Sequence, residues 1–237
     1  MSPILLLACT SSPSVTVLAA SSLTEVFGQL EQAFEAQHGL EVQLSVAGSQ
    51  TLATQLRAGL DAQVFASANQ GLIEDLAAEG RVASPEPLVR GRLVLAVAAD
   101  SVIQDLRDLD RAERLVLGVP EVPVGAYSER LLEAAGQRYG SDWLERVRGR
   151  VVSRELSVRQ VRTKLLLGEA DAALVYATDM NDLKELRAIE LPMGLPDSAL
   201  YYQAEVLPIR PEARAWTDFT RSDEGLEIVR DFGLEAP

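Results

Sequence analysis

Two serines stand where an apolar strand gives way to a helical pattern, a position from which a hydroxyl can bind a ligand. Ser22 follows "VTVLAAS" and precedes the amphipathic segment "LTEVFGQLEQAF". Ser49 follows "VQLSVAG", in which Gly48 lets another backbone approach closely. On spacing alone a cap is the favoured role of Ser22, because Ser22 and Glu25 fit a capping box. The two roles are compatible, since a hydroxyl accepts two hydrogen bonds and donates one.

Two further turns have the same position between a strand and a helix. In open α/β sheets such turns lie at the carboxyl ends of the strands, where ligands bind. A helix start also offers unpaired N–H groups and the positive end of a dipole, so several starts facing one cleft would form an anion site without a cationic side chain. The predicted helix starts are Ser22, Ser49, Pro123-Val124-Gly125 and Ser157-Val158.

The sequence lacks the residues that catalysis would require. Its single histidine, His38, lies at the end of the first predicted helix, where a cation is ordinary. There is no G-x-S-x-G elbow, no Cys/His metal cluster and no P-loop pattern. A serine-dependent hydrolase therefore stays a remote alternative. We expect a binding protein rather than an enzyme, with no cofactor.

The elements that position these turns alternate between strand and helix. Strands are predicted near residues 15–20, 42–46, 62–67, 92–99, 114–119, 150–157 and 171–179, with helices between most of them and a helical segment at 213–234. Pro/Gly-rich breaks near residues 84–91 and 191–198 indicate crossings between two units. The predicted fold is two-lobed α/β, each lobe a mostly parallel sheet flanked by helices, with residues 14–88 and 199–237 in one lobe and 89–198 in the other. A ligand cleft is expected between the lobes.

Composition and the N-terminus restrict location and partners. The net charge is −13 and no Lys/Arg cluster occurs, so nucleic acid is not an expected partner. No apolar run approaches the roughly 20 residues that span a bilayer. "LLLAC" resembles a bacterial lipoprotein processing box ending at Cys9, although the apolar run is short and no basic residue precedes it. Residues 1–13 are interpreted as a signal remnant or tether, and the alternative is a tail with a chance cysteine.

A set of segments in order is similar to the molybdate-binding proteins of bacterial ABC importers. These segments are "VTVLAASSLTEVF", "VAGSQTLATQL", "VFASANQ", "GVPEVPVGAYSERLL" and "ALVYATD". The resemblance implies a type II periplasmic-binding-protein fold that closes on a tetrahedral oxyanion. By position it implies hydroxyl donors at Ser22, Ser49 and Tyr176, and backbone donors at Val124 and Val158. Without the resemblance, Tyr176 reads as a half-buried aromatic at a strand end.

Three positions depart from the family pattern. Gln63 and Asn69 stand where the family usually has acidic residues, and Gln50 stands where small residues are common. Gln63 and Asn69 are not at ligand positions of the family, so we expect these two departures to alter local contacts at the hinge or between the lobes rather than ligand binding. Gln50 adjoins Ser49 and bears on the size of the cleft.

The donors implied by the resemblance define the ligand class. All of them donate, which suits a fully deprotonated dianion and disfavours hydrogen phosphate, whose proton needs an acceptor. Molybdate and tungstate are nearly equal in size, and the smaller sulfate is the main alternative ligand. Molybdenum would be bound as its oxyanion, with no direct protein–metal bond. The implied protein is an extracytoplasmic monomer that delivers the anion to the membrane permease of an ABC transporter.

Overall fold

The computed structural model describes residues 14–181 and 183–237, so Cys9 lies outside the described residues. Within this part of the chain the structure is mixed α/β. The strands are β1 (Ser14–Ala20), β2 (Glu41–Ala47), β3 (Val64–Ser67), β4 (Glu86–Ala98), β5 (Leu115–Gly118), β6 (Val151–Glu155), β7 (Ala172–Tyr176), β8 (Leu186–Ile189) and β9 (Ser198–Glu205).

The helices flank these strands. They are α1 (Thr24–His38), α2 (Ser49–Arg57), α3 (Gln70–Ala78), α4 (Pro123–Tyr139), α5 (Ser141–Arg148), α6 (Val158–Leu166), α7 (Pro211–Thr220) and α8 (Asp223–Asp231). Short 3-10 turns occur at Ser21–Leu23, Leu106–Arg111 and Ala177–Met180. The predicted alternation of strand and helix is thus confirmed for both halves of the chain.

The strands form one continuous sheet in the order β2-β1-β3-β9-β4-β7-β5-β6, with β8 paired to β4. In the first half of the sheet, β1 lies parallel to β2 and β3. In the second half of the sheet, β5 lies parallel to β6 and β7. The parallel strands match the prediction. β4 and β9 run antiparallel to their neighbours because they carry the chain between the two halves.

β4 is the strand that joins the two halves of the sheet. Its first part, from Glu86 to Arg92, pairs with β9, and its second part, from Leu93 to Ala98, pairs with β7 and β8. The predicted strand at 92–99 is therefore only the second part of a longer strand. Pro87 is accommodated at an irregularity of the pairing, where its missing N–H does little harm.

Both faces of the sheet's first half are buried. Val17 and Ala19 of β1 face the main core, and Leu18 faces a second core beneath α2 and α3. Helix α1 covers the main core through side chains at helical spacing, among them Phe27 and Phe34. Gly39, with φ of 64°, ends α1 in the left-handed conformation that glycine adopts readily.

The C-terminal segment, predicted as one helical segment at 213–234, forms two helices that pack against α1. α7 ends at Thr220, and the Ser222 hydroxyl accepts from the Gly225 N–H to start α8. The Trp216 ring of α7 lies 5.8 Å from Phe27 and 5.3 Å from Phe34 between ring centroids. The aromatic contacts fix α7 on the first half of the sheet.

No helix in the described ranges, 14–181 and 183–237, is long and apolar enough to cross a membrane.

Candidate functional site

The five residues predicted to bind the ligand line one small cavity between the two halves of the sheet. It measures about 20 Å³, whereas a single water needs roughly 10–15 Å³. The wall is completed by neighbours of these residues, and no charged side chain contributes to it among the described residues. The predicted residues on the wall are Ser22, Ser49, Val124, Val158 and Tyr176.

Four helices or helical turns begin in the wall of this cavity. They are the 3-10 turn Ser21–Leu23 that leads into α1, and the helices α2, α4 and α6. The first N–H groups of a helix have no partner within the helix, and its dipole is positive at that end. The cavity therefore collects backbone donors from both halves of the sheet and suits an anion.

Ser22 is buried, but it does not cap α1, so the predicted capping box is wrong. The helix begins with a 3-10 turn that contains Ser22, and no side chain caps either the turn or α1. Glu25 pairs with Arg159 instead of reaching back to the turn. The Ser22 Oγ accepts a hydrogen bond of 3.1 Å from the Tyr201 hydroxyl.

Ser49 also has a role other than capping. Gly48 occupies the N-cap of α2 and Ser49 is its first helical residue, so the expected cap is wrong here too. The Ser49 Oγ accepts from the Ala68 N–H at 3.3 Å. A Cβ added to Gly48 would lie 3.0 Å from the Leu156 carbonyl oxygen, which confirms that this glycine permits close approach of another backbone segment.

The "PVG" turn places Val124 on the cavity wall. Pro123 is the first residue of α4, where its missing N–H costs nothing. A Cβ added to Gly125 would lie 1.9 Å from the Val119 carbonyl oxygen, inside any possible contact distance. Gly125 thus lets the start of α4 pack directly on the end of β5.

Val158 begins α6 as predicted, and the side chain of Ser157 caps this helix. The Ser157 Oγ accepts from the Gln160 N–H at 3.4 Å and leaves the Val158 N–H free of capping. Val158 is buried against the core, and its backbone lies on the cavity wall.

Tyr176 brings a phenol to the wall from the end of β7. Its ring is 1% exposed, and its hydroxyl has no hydrogen-bond partner in the described part of the chain. A buried hydroxyl without a partner costs about 1–3 kcal/mol, so such groups indicate a ligand or a functional role. Burial raises the pKa of Tyr176 well above its ordinary value, so the phenol stays protonated as a donor.

A buried carboxyl group lies directly behind Tyr176. Asp179 Oδ2 accepts from the Tyr176 N–H at 3.2 Å. Burial raises the pKa of Asp179 from 3.8 to about 7, against the lowering effect of this hydrogen bond and of Arg162. Asp179 was predicted as the end of a strand at 171–179, whereas β7 ends at Tyr176 and Asp179 lies in the 3-10 turn that follows, where nothing in the sequence indicates its burial.

Polar contacts join the two sides of the cavity. Arg159 in α6 forms an ion pair of 2.6 Å with Glu25 and donates to the Ser21 carbonyl oxygen at 3.2 Å. Gln50 Nε2 donates to the Glu121 carbonyl oxygen at 2.8 Å. The departure at Gln50 thus makes a contact across the cavity, beside Ser49.

The other two departures have local roles away from the cavity. Gln63 Oε1 accepts from the Thr16 N–H in the neighbouring strand. Asn69 caps α3 by accepting from the Leu72 N–H at 3.1 Å. Both residues accept where the usual acid would also accept, so the neutral amide replaces it without loss of a bond.

The site offers donors to a small anion and little to a cation. Within residues 14–181 and 183–237, no group of three or more His, Cys, Asp or Glu side chains could hold a metal ion. The residues that carry the proposed hydroxyl donors, Ser22, Ser49 and Tyr176, line one small cavity together with the starts of the helices. The two serine oxygens already accept from protein donors, so their protons are available to a ligand.

Comparisons with known proteins identify the family and the fold of the chain. Residues 15–235 match the family model of bacterial extracellular solute-binding proteins. The chain is similar to "Molybdate-binding protein ModA" of Mycobacterium bovis, with 36% identity over 171 residues, 70% of this chain. The match spans 62% of that relative's length. This chain is also 27% identical to a putative ABC transporter substrate-binding lipoprotein, YvgL, of Bacillus subtilis. That match covers 94% of this chain and 86% of the relative.

A solved structure shows the same fold. The periplasmic molybdate-binding protein of Azotobacter vinelandii superposes with a TM-score of 0.81 at 19% identity, covering 94% of this chain and 100% of that one. The two-lobed α/β fold expected from the sequence is confirmed by this likeness. Because the family model matches nearly the whole length of the chain, the chain belongs to the family of bacterial extracellular solute-binding proteins.

Proposed function

We propose that the protein binds molybdate outside the cytoplasm and delivers it to the membrane permease of an ABC importer. The observation that carries this proposal is the buried hydroxyl of Tyr176, a residue of the cavity wall, which has no hydrogen-bond partner among residues 14–181 and 183–237. The protein groups that donate hydrogen bonds to the anion are the hydroxyls of Ser22, Ser49 and Tyr176 and the backbone N–H groups of Val124 and Val158.

The donor set supports a fully deprotonated dianion. Hydrogen bonds from neutral donors to a charged group contribute about 1.5–3 kcal/mol each, and several converge here. Hydrogen phosphate would place its proton against a donor, which leaves two hydrogens facing one another and costs affinity. A metal cation would face the positive ends of helix dipoles without a carboxylate among the described wall residues.

The size of the cavity supports a compact ion. Pockets for organic ligands commonly measure roughly 300–1,000 Å³, far above the 20 Å³ found here. Molybdate and tungstate have almost the same size and fit one cavity equally. Sulfate has the same charge and shape but shorter bonds, so in a cavity sized for molybdate it would reach fewer donors at once.

The relatives support the same ligand and setting. The Mycobacterium bovis relative and the Azotobacter vinelandii protein are both named for molybdate binding, and the Bacillus subtilis relative is named as a lipoprotein. We include in the proposal a monomeric protein, anchored through a lipid on Cys9. Its lobes, residues 14–88 with 199–237 and residues 89–198, close on the anion. The change of partners along β4 between Arg92 and Leu93 supports a hinge there.

A thermal-unfolding series with molybdate, tungstate, sulfate and hydrogen phosphate tests the proposal. Ligand at about a thousandfold above its dissociation constant adds ~4 kcal/mol to the unfolding free energy, which raises the Tm of a chain this size by roughly 8–16 °C. We expect this rise with molybdate and tungstate. A rise with sulfate alone would show that sulfate, and not molybdate, is the ligand. The protein is first refolded from denaturant to remove any ligand carried over from purification, and the absence of a rise with any anion would then reject the proposed function.

A variant locates the site. Ser49→Ala removes one donor and should weaken molybdate binding by about 1.5–3 kcal/mol. It also removes the acceptor of the buried Ala68 N–H, so the free protein should lose about 1–3 kcal/mol of unfolding free energy, and affinity is compared under conditions in which both proteins are folded. Ser141→Ala, at the exposed start of α5, is the matched control and should bind as the wild type does. Equal affinities for all three proteins would place the ligand elsewhere.

A further inference from the structure

Tyr201 contacts Ser22 but is not among the residues that line the cavity. It belongs to β9, and its side chain is fully buried. Its hydroxyl donates to the Ser22 Oγ at 3.1 Å, between residues 179 positions apart in the chain. The family resemblance assigned no role to this residue, and β9 was not predicted as a strand.

We propose that Tyr201 is a positioning residue that fixes Ser22 as a hydrogen-bond donor to the bound oxyanion. The inference rests on the proposed function, since Ser22 must contact the anion for Tyr201 to act through it. Tyr201 itself does not touch the ligand.

The reason lies in the single proton of a serine hydroxyl. Ser22 has one proton and two acceptor lone pairs. When the Tyr201 hydroxyl donates to Ser22, the serine proton is left for the cavity, and the chain from Tyr201 through Ser22 to the anion polarises in one direction. If Ser22 donated to Tyr201 instead, its lone pairs would face the dianion.

Ser49 also accepts a hydrogen bond, from a different kind of donor. Its Oγ accepts from the Ala68 N–H at 3.3 Å, so both serines of the proposed site accept from protein donors. A backbone N–H can only donate and is not removed by substitution. The Tyr201 phenol can donate to Ser22 only while it is protonated. Burial raises the pKa of Tyr201 well above its ordinary value, so the phenol keeps its proton.

The surroundings of Tyr201 hold its hydroxyl in place. Its ring centroid lies 5.7 Å from that of Tyr176, the other phenol of the site. Gly91 in the neighbouring strand β4 makes room for the ring, because a Cβ there would lie 3.0 Å from Tyr201 Cε2. The ring therefore packs closely against the backbone of β4 at Gly91.

A double-mutant cycle tests the inference by calorimetric titration with molybdate. The proteins are the wild type, Tyr201→Phe, Ser22→Ala and the double variant. Loss of a neutral hydrogen bond predicts that Tyr201→Phe weakens binding roughly 3- to 10-fold when Ser22 is present. In the Ser22→Ala background the same substitution should change affinity by less than about 2-fold, because there is no hydroxyl left to orient.

The controls separate positioning from packing. Tyr202→Phe, at the next position of β9 and on the opposite face, should leave affinity unchanged. If Tyr201→Phe does not unfold cooperatively, the double-mutant cycle is repeated with Tyr201→Met, which also lacks a hydroxyl but has a side chain of different shape. An equal loss in both backgrounds would mean that Tyr201 acts through packing, and would overturn the inference.

The failure of this inference is distinguishable from that of the proposed function. A wild-type protein that binds molybdate while Tyr201→Phe binds equally well overturns the positioning role alone. A wild-type protein that binds none of the four oxyanions overturns the proposed function, and the role of Tyr201 with it.

Discussion

Glu25 and Arg159 form an ion pair of 2.6 Å that joins the start of α1 to the start of α6 beside the cavity. The two helices belong to different halves of the sheet, since α1 packs on β1 and β2 and α6 packs on β5 and β7. Arg159 also donates to the Ser21 carbonyl oxygen, which belongs to the cavity wall. The side chain of Arg159 thus connects the two walls of the cavity, which in the proposed function separate to release the ligand.

We expect Arg159→Gln to speed the release of molybdate by about 2- to 5-fold, with little effect on the rate of association. Both partners are about 40% exposed, so the pair contributes within the ~0.2–1 kcal/mol range of surface ion pairs. That contribution exists only while the two walls are together, so its loss favours the separated arrangement. Stopped-flow displacement of bound molybdate by excess tungstate measures the release rate.

Glu79→Gln provides the matched control for this prediction. Glu79 pairs with Arg57 at 2.7 Å with similar exposure, but both residues lie on the same side of the cavity, on α2 and directly after α3. Its loss should leave the release rate at the wild-type value. Faster release in this control as well would show that general destabilisation, and not the link between the walls, sets the rate.

We expect Tyr176→Phe to have opposite effects on stability and on binding. Without ligand, the substitution removes a buried hydroxyl that has no partner among the described residues, so the unfolding free energy should rise by up to about 1–2 kcal/mol. With molybdate, it removes a donor to a charged group, so binding should weaken by about 1.5–3 kcal/mol. Urea unfolding and calorimetric titration measure the two effects. Unchanged affinity would remove Tyr176 from the site.

Four of the five predicted ligand residues lie at helix starts that local sequence patterns indicate, and the structure places those starts around one cavity. A strand followed by Ser, Gly or Pro and then by a helical period marks a helix start, and parallel strands bring such starts to one edge of the sheet. Ser49 and Val158 both reached the cavity wall for this reason. What each serine hydroxyl contacts was predicted wrongly, because a capping pattern describes only neighbours within one turn.

The contacts that were missed come from distant parts of the chain. Tyr201 reaches Ser22 from a strand hidden in "SALYYQAE", where two adjacent tyrosines obscure the alternation of buried and exposed positions. The strand β8 and the helix α5 were missed as well, since both are short. Nothing local indicates that Asp179 is buried, because its burial depends on where α6 packs.

We expect Gly125→Ala to prevent stable folding of the second half of the sheet. The new methyl group would overlap the Val119 carbonyl oxygen at 1.9 Å, and two backbone segments would have to separate. The cost should exceed about 3 kcal/mol, the upper range of overpacking. Gly28→Ala in α1, where a Cβ meets nothing within 4 Å, should instead stabilise by about 0.5–1 kcal/mol. Thermal unfolding of the two variants checks both signs, and similar Tm values would contradict the role given to Gly125.

The raised pKa of Asp179 makes the protein's stability depend on pH in a definite direction. The carboxyl holds a proton in the folded protein up to about pH 7, whereas the unfolded chain releases it near 3.8. Between these values the folded state binds more protons, so the contribution of Asp179 to the unfolding free energy falls as pH rises. The contribution is most favourable below about pH 4 and fully lost above about pH 7.

We expect Asp179→Asn to remove this dependence. The asparagine stays neutral at every pH, and its side-chain oxygen can still accept from the Tyr176 N–H. Relative to the wild type, the variant should gain about 1–3 kcal/mol of unfolding free energy between pH 5 and pH 8, because each unit of pKa shift corresponds to about 1.4 kcal/mol. Urea unfolding at the two pH values measures it, with the exposed Asp100→Asn as control. Parallel pH profiles for Asp179→Asn and the wild type would show that Asp179 is already ionised at pH 5, and that the two arginines of α6, Arg159 and Arg162, outweigh its burial.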